Sequence, residues 1–188
     1  MTDRARLEAL YAEHAAAVHS YARRRIDPAS AEDVVAETFL VAWRRLDRVP
    51  RHDPLPWLYA TARHVLSNQR RGDARRAALT ARLTREPVPP ARAADHGGLA
   101  GSVSDDGERL LRALAELRPA DREALLLVAW EGLTPARAAA ALECSRPALH
   151  VRVHRARKRL EAALERVRDG EARSPLDTPD RSPQEARA

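Results

Sequence analysis

Cysteine is almost absent from this chain: Cys144 is the only one in 188 residues. A single thiol excludes an internal disulfide. Because Cys144 stands in a short turn ahead of an apolar helix, it reads as a small buried residue rather than a nucleophile. Aromatics number seven, and six of them, Tyr11, Tyr21, Phe39, Trp43, Trp57 and Tyr59, fall before Ala78. There is no run of about eighteen apolar residues, so no membrane insertion is expected. The opening MTDRARLEAL lacks the apolar core of a signal peptide, and a cytoplasmic location follows as the expectation. Neither a phosphate-cradling GxxxxGK loop nor a GxSxG elbow occurs, and no enzyme is expected. His150 and His154 lie four apart with Cys144 near, but a metal cation among six cationic side chains is disfavoured, so neither metal nor cofactor is expected. Strand-period alternation and internal repeats are missing as well, which leaves an all-α chain.

What the chain does have is positive charge. Lys and Arg total 33 against 27 acids, a net charge of +6, which makes nucleic acid or another acidic surface the first partner to consider. The charge is concentrated. SRPALHVRVHRARKRL (Ser145–Leu160) holds six Arg or Lys and no acid. At 100° per residue, Leu149, Val153, Ala156 and Leu160 form one narrow apolar stripe, so the segment is an amphipathic helix, with Ser145 as N-cap and Pro147 in the first turn. Opposite that stripe lie Val151, His154, Arg155 and Lys158. A helix selected only for solubility would mix signs; this one wants a polyanion.

Composition divides the chain into a first helical domain over residues 1–78, a linker over 79–107, a second helical domain over 108–168 and a tail over 169–188. The linker collects Pro87, Pro89, Pro90, Gly97, Gly98, Gly101 and Gly107, and the tail carries Pro175, Pro179 and Pro183. Both are expected to be flexible. In the first domain SAEDVVAETFLVAWRRL (Ser30–Leu46) predicts a helix capped by Ser30 with Asp33, burying Val35, Phe39, Ala42 and Leu46. DPLPWLYATARHVLSNQRRGDARRA (Asp53–Ala77) turns basic, with five arginines against one aspartate from Arg63 to Arg76. Cations interleaved with Trp57, Tyr59 and His64 suit a single strand, offering charge to phosphates and flat rings to unstacked bases, although either Trp57 or Tyr59 alone is better read as core. In the second domain, LTPARAAAALECS (Leu133–Ser145) supplies Thr134 as N-cap, Pro135 at the first helical position and a short turn before the basic helix. The two helices make a helix-turn-helix, which places its second helix in the major groove.

YAEHAAAVHSYARRRI, AEDVVAETFLVAWRRL, PWLYATARHVLSNQRR and LAELRPADREALLLVAWEGLTPARAAAALECSRPALHVRVHRARKRL resemble, in that order, the two domains of bacterial RNA polymerase sigma factors, in particular the small extracytoplasmic-function (ECF) subgroup. The resemblance covers about Leu7–Ala77 and Glu108–Leu164. It implies that Asp33, Glu37 and Thr38 face the core polymerase. It implies a surface for the minus-ten element at Arg51, His52, Asp53, Trp57, Arg63, His64, Asn68 and Arg71, holding the melted non-template strand. It implies minus-thirty-five recognition in duplex promoter DNA by Ser145, Arg146, Ala148, His150, Val151, Arg152, His154, Arg155 and Lys158. An anti-sigma factor is a partner expected only through the resemblance. Four positions depart from the family's usual residues: Asn68 replaces an acid, Arg137 a Glu, Glu143 a Gly and Ala148 a Thr. Glu143 stands where a turn asks for positive φ. A free-standing helix-turn-helix regulator is the alternative; it leaves the Asp33–Glu37 face and the Trp57–Arg71 helix without a purpose.

Overall fold

The computed structural model describes residues 2–84 and 104–172. Seven α-helices make up these residues: α1 (Asp3–Arg23), α2 (Pro28–Arg44), α3 (Leu55–Thr84), α4 (Asp105–Ala115), α5 (Pro119–Ala129), α6 (Pro135–Ala141) and α7 (Arg146–Ala172). A single 3₁₀ turn, Leu46–Arg48, follows α2.

The first domain packs α1, α2 and α3 against one another. Its interior holds Val18, Tyr21, Val34, Phe39, Leu58 and Leu66, all buried, each contributing about 1.5–3 kcal/mol of hydrophobic stabilisation. The stripe expected on α2 is buried as the period dictates: Val35, Phe39, Ala42 and, in the turn beyond the helix, Leu46. The start of α2 differs from the sequence expectation. Its N-cap is Asp27, whose carboxylate accepts from the Ser30 amide at 3.0 Å, with Pro28 at the first helical position. An aspartate followed by a proline is already preorganised for helix entry, so the helix begins before Ser30 can cap it. That amide bond also holds the Asp27 carboxyl below its usual range. Beyond α2 the chain turns, and the Arg6 guanidinium donates to the carbonyls of Leu46 (2.7 Å) and Val49 (2.6 Å), fastening α1 to the turn.

In the second domain α4, α5 and α6 pack on α7. Leu149 and Ala156 are buried, with Val153 and Leu160 partly so, as the stripe required. Helix α6 begins with Thr134 accepting from the Arg137 amide, and α7 with Ser145 accepting from the Ala148 amide. Arg122 closes the end of α4 by donating to the carbonyls of Leu114, Ala115 and Leu117. Gly132 takes φ +64 just past α5, where a Cβ would strain the backbone.

The composition boundaries shift at both ends of the linker. Helix α3 runs on to Thr84 and α4 starts at Asp105, so residues 79–84 and 105–107 are helical. Alanine, leucine and arginine at 77–83 are good helix formers, and the Pro-rich stretch that signals a break begins only at Pro87. The tail likewise starts later, α7 continuing to Ala172. The remaining linker and tail residues lie outside the described ones. The two domains also touch: α3 lies against α6, and one buried cluster runs from Val18, Tyr21 and Tyr59 to Ala124, Leu127, Leu133, Ala138 and Leu142.

Candidate nucleic-acid interface

Three surfaces carry the residues singled out from the sequence. On α2, Asp33 and Glu37 are exposed one turn apart, with the exposed Leu40 one turn further along. Thr38 does not join them. It is fully buried, its hydroxyl donating to the Val34 carbonyl at 2.6 Å, so the expectation that it meets a partner is corrected. A threonine hydroxyl returned to its own helix needs no external acceptor.

The second surface follows from the entry into α3. Arg51, His52 and Asp53 are exposed in the connection from the 3₁₀ turn. Along α3, Trp57, His64, Asn68 and Arg71 recur at helical spacing on one side. Trp57 is half-buried against the core, Arg63 half-buried, and His64, Asn68 and Arg71 are exposed. Tyr59 is core: it is buried and stacks on Tyr21 with ring centroids 4.8 Å apart. Arg71 donates to Asn68 and to Ser67, so Asn68 accepts from the neighbouring guanidinium. A groove of about 1390 Å³ runs between α2, α3 and α6. It joins Asp33 and Glu37 to Trp57, His64 and Asn68, and its far wall is Arg137 and Glu143 of the second domain.

The third surface is α7. Ser145, Arg146, Ala148, His150, Val151, His154, Arg155 and Lys158 are exposed, and Arg152 is half-exposed. Not every cation of this helix is free for a polyanion. Arg159 pairs with the buried Asp121 of α5 and therefore serves packing. The turn that presents α7 closes with the Cys144 amide on the Ala139 carbonyl and the Glu143 amide on that of Ala140, the Schellman arrangement. Glu143 sits at its left-handed position with φ +53, so the strain expected of a non-glycine there is accepted. Cys144 is a half-buried free thiol packed on the core.

One constellation had no signal in the sequence. The Arg25 guanidinium, 5% exposed, lies 3.6 Å over the Tyr21 ring. It donates to Glu123 at 2.9 Å and to Glu131 at 3.0 Å, while Arg24 pairs with Glu131 as well. The Glu131 side chain is 1% exposed. Tyr21 donates to Glu123 at 2.7 Å, and burial pushes its hydroxyl well above the ordinary range, so it stays protonated. Burial works against the Arg25 charge, but the Glu123 and Glu131 carboxylates outweigh it and hold the proton more firmly than usual. Arg70 donates to the Arg25 carbonyl at 3.0 Å. The partners lie about a hundred residues apart in sequence, and only the packed fold brings them together.

Two helical domains, one with an aromatic and basic face, the other a helix-turn-helix with a cationic second helix, define a protein built to read DNA. Residues 10–76 match the model of sigma-70 region 2, and residues 107–160 that of sigma-70 region 4. The ECF RNA polymerase sigma factor SigL of Mycobacterium tuberculosis strain H37Rv is 41% identical over 68 residues, covering 35% of this chain and 38% of SigL. Among solved structures, the sigma factor RpoE in complex with the anti-sigma factor NepR from Bartonella quintana superposes with a TM-score of 0.61 over 84% of this chain and 96% of that one, at 24% identity. CnrH in complex with the cytosolic domain of CnrY gives 0.57 over 85% and 88%, at 27% identity. The chain belongs to the sigma-70 family.

Proposed function

We propose that this protein is an initiation factor that docks on core RNA polymerase, reads promoter DNA with both domains and holds the melted strand open. The observation that carries this reading is the coexistence, on one chain, of an acidic α2 face, an aromatic and basic α3 face and a cationic α7. A free-standing regulator needs only the last of these. Asp33 and Glu37 would meet a basic surface of the core enzyme. Arg51, His52, Asp53, Trp57, Arg63, His64, Asn68 and Arg71 would bind the unstacked non-template strand of the minus-ten element, by charge and by stacking. Residues Ser145 to Lys158 would lie in the major groove of the minus-thirty-five element, Arg152 and Arg155 on phosphates, Val151 and His154 towards base edges. Opening is then differential binding: single strands are held more tightly than duplex, and the equilibrium follows. No covalent chemistry is required, so the protein is no enzyme, and its place is the cytoplasm. Among the described residues no helix is long and apolar enough to cross a membrane. The complexes of RpoE and CnrH named above support an anti-sigma partner here too.

Exchanging both acids, Asp33→Lys with Glu37→Lys, tests the docking half. Since both are exposed, the expected result is lost association with core polymerase on a sizing column and an unchanged circular dichroism spectrum; retained association removes the docking assignment.

A further inference from the structure

The candidate strand-binding residues that precede α3 have little structure of their own. Pro50, Arg51, His52 and Asp53 are all exposed, and the amides of Arg51, His52 and Asp53 make no main-chain hydrogen bond to another described residue. Pro50 and Pro54 bracket them, each fixing its own φ and offering no amide. Such a segment takes its direction from whatever holds its ends. At the far end the Leu58 amide donates to the Pro54 carbonyl at 3.0 Å as α3 begins, and Asp53 accepts from Arg137 in an exposed ion pair, which contributes little. At the near end stands Arg6. Its part-buried guanidinium reaches from α1 to the carbonyls of Leu46 (2.7 Å) and Val49 (2.6 Å), and Val49 directly precedes Pro50. The end of a helical turn leaves such carbonyls without a partner in the turn itself. The Leu46 and Val49 side chains are buried and seat the turn, but hydrophobic burial is non-directional. A planar guanidinium on two carbonyls three residues apart fixes the direction.

We propose that Arg6 is a positioning residue for strand capture: by gripping the carbonyls of Leu46 and Val49 it sets the course on which Arg51 and His52 are offered to the melted strand. The proposal rests on the strand-binding role given above to those two residues. Arg6 itself need not touch nucleic acid. A binding segment that already points the right way spares the cost of ordering it when the strand arrives. Here the order is imposed from α1, whose Arg6 lies 40 residues before Leu46 in sequence. Base recognition depends on that order more than phosphate attraction does. A displaced cation still attracts phosphate, since charge acts over about 10 Å at 0.1 M salt, whereas a hydrogen bond to a base edge tolerates only about half an ångström. Loosening the turn therefore costs base preference as well as affinity.

The test loads sigma-free core polymerase of the source bacterium with full-length wild type, Arg6→Gln or the milder Arg6→Lys. Bound strands are selected from a random-sequence DNA library of about 12 nucleotides and sequenced, with core polymerase alone as the blank, and fluorescence anisotropy of the enriched strand, dye-labelled, gives the affinity. Circular dichroism sets a temperature at which every form is folded. The expected result for Arg6→Gln is binding about tenfold weaker, if roughly one molecule in ten keeps the segment seated, with a flattened base preference and unchanged association with core on a sizing column. Arg6→Lys should fall between, keeping the charge without the fork, and it carries the test alone if Arg6→Gln does not fold. Adding Arg6→Gln to Arg51→Ala with His52→Ala should change strand binding little, because its effect passes through those side chains. Unchanged affinity and preference overturn the positioning role, and so does a weaker affinity with the wild-type base preference intact, the mark of a merely structural residue. Lost association with core, or a full additive effect in the triple variant, overturns it too. If the wild-type holoenzyme selects no strand beyond the blank, or Arg51→Ala with His52→Ala binds as the wild type does, the strand-binding assignment itself has failed, and the positioning role falls with it.

Discussion

At the scale of single residues, position 143 shows how local strain and charge are traded. The Schellman turn requires a left-handed residue, and Glu143 adopts φ +53 there without being glycine, a conformation that costs an ordinary side chain about 1 kcal/mol. In return its carboxylate reaches Arg63 and His64 across the domain boundary. Glu143→Gly should therefore raise thermal stability in high salt, where the exposed pairs are screened and the relieved strain of about 1 kcal/mol remains. An unchanged or lower melting temperature in 1 M salt, where the screening length is about 3 Å and exposed pairs are weakened, would show that the turn is not strained. Thr38 makes the opposite point. Because its side chain is buried and satisfied by Val34, Thr38→Val should leave polymerase association intact and alter stability by about 1 kcal/mol. Weakened association with unaltered stability would restore Thr38 to the docking surface. A family motif marks which positions matter but not which way each side chain points; for Thr38 the α2 period answers that, since it lies beside the buried Phe39 and one turn from the buried Val34.

At the scale of elements, helix periodicity carried most of the fold. The α7 stripe of Leu149, Val153, Ala156 and Leu160 was legible because cations on every other side left the helix one face to bury. The caps at Thr134 and Ser145 were legible for the same local reason: a hydroxyl ahead of a proline-marked first turn has one geometry to adopt. The start of α2 was harder, because Asp27 and Ser30 both offer a capping oxygen three residues apart, and the proline after Asp27 decides between them. The extension of α3 to Thr84 has no amphipathic period to read, since Leu79 and Leu83 stand exposed there and no stripe is buried. These assignments separate two kinds of α7 variant. Arg155→Ala should leave the unfolding free energy within about 0.5 kcal/mol of wild type while lowering the slope of log affinity against log salt for duplex DNA by about one unit. Leu149→Ala should instead cost about 2–5 kcal/mol of stability through the cavity it leaves. An unchanged salt slope for Arg155→Ala would mean that the side chain meets only solvent.

At the scale of the whole molecule, composition suggested two independent domains on a tether, and the structure joins them. The reason this was hidden is physical: Arg24 and Arg25 read locally as a charged helix end, and Glu123 and Glu131 as ordinary surface acids, until packing buries them together. Nothing in a one-dimensional pattern distinguishes a solvated arginine from one whose carboxylate lies a hundred residues away. Function was more legible than arrangement because it rests on segments whose chemistry is local: an acidic helix face, rings among arginines, a helix-turn-helix with a cationic second helix. The arrangement matters for function all the same, since the groove that unites Asp33, Trp57, His64 and Asn68 is walled by Arg137 and Glu143 only while the domains are together. The measurement that tests the central claim most directly is transcription from fragmented genomic DNA of the source bacterium by sigma-free core polymerase, with and without this protein, and with every start mapped. New starts that depend on the protein and share two spaced upstream elements are the predicted result; no new start, from protein that still binds duplex DNA by itself, would contradict it and favour the free-standing regulator.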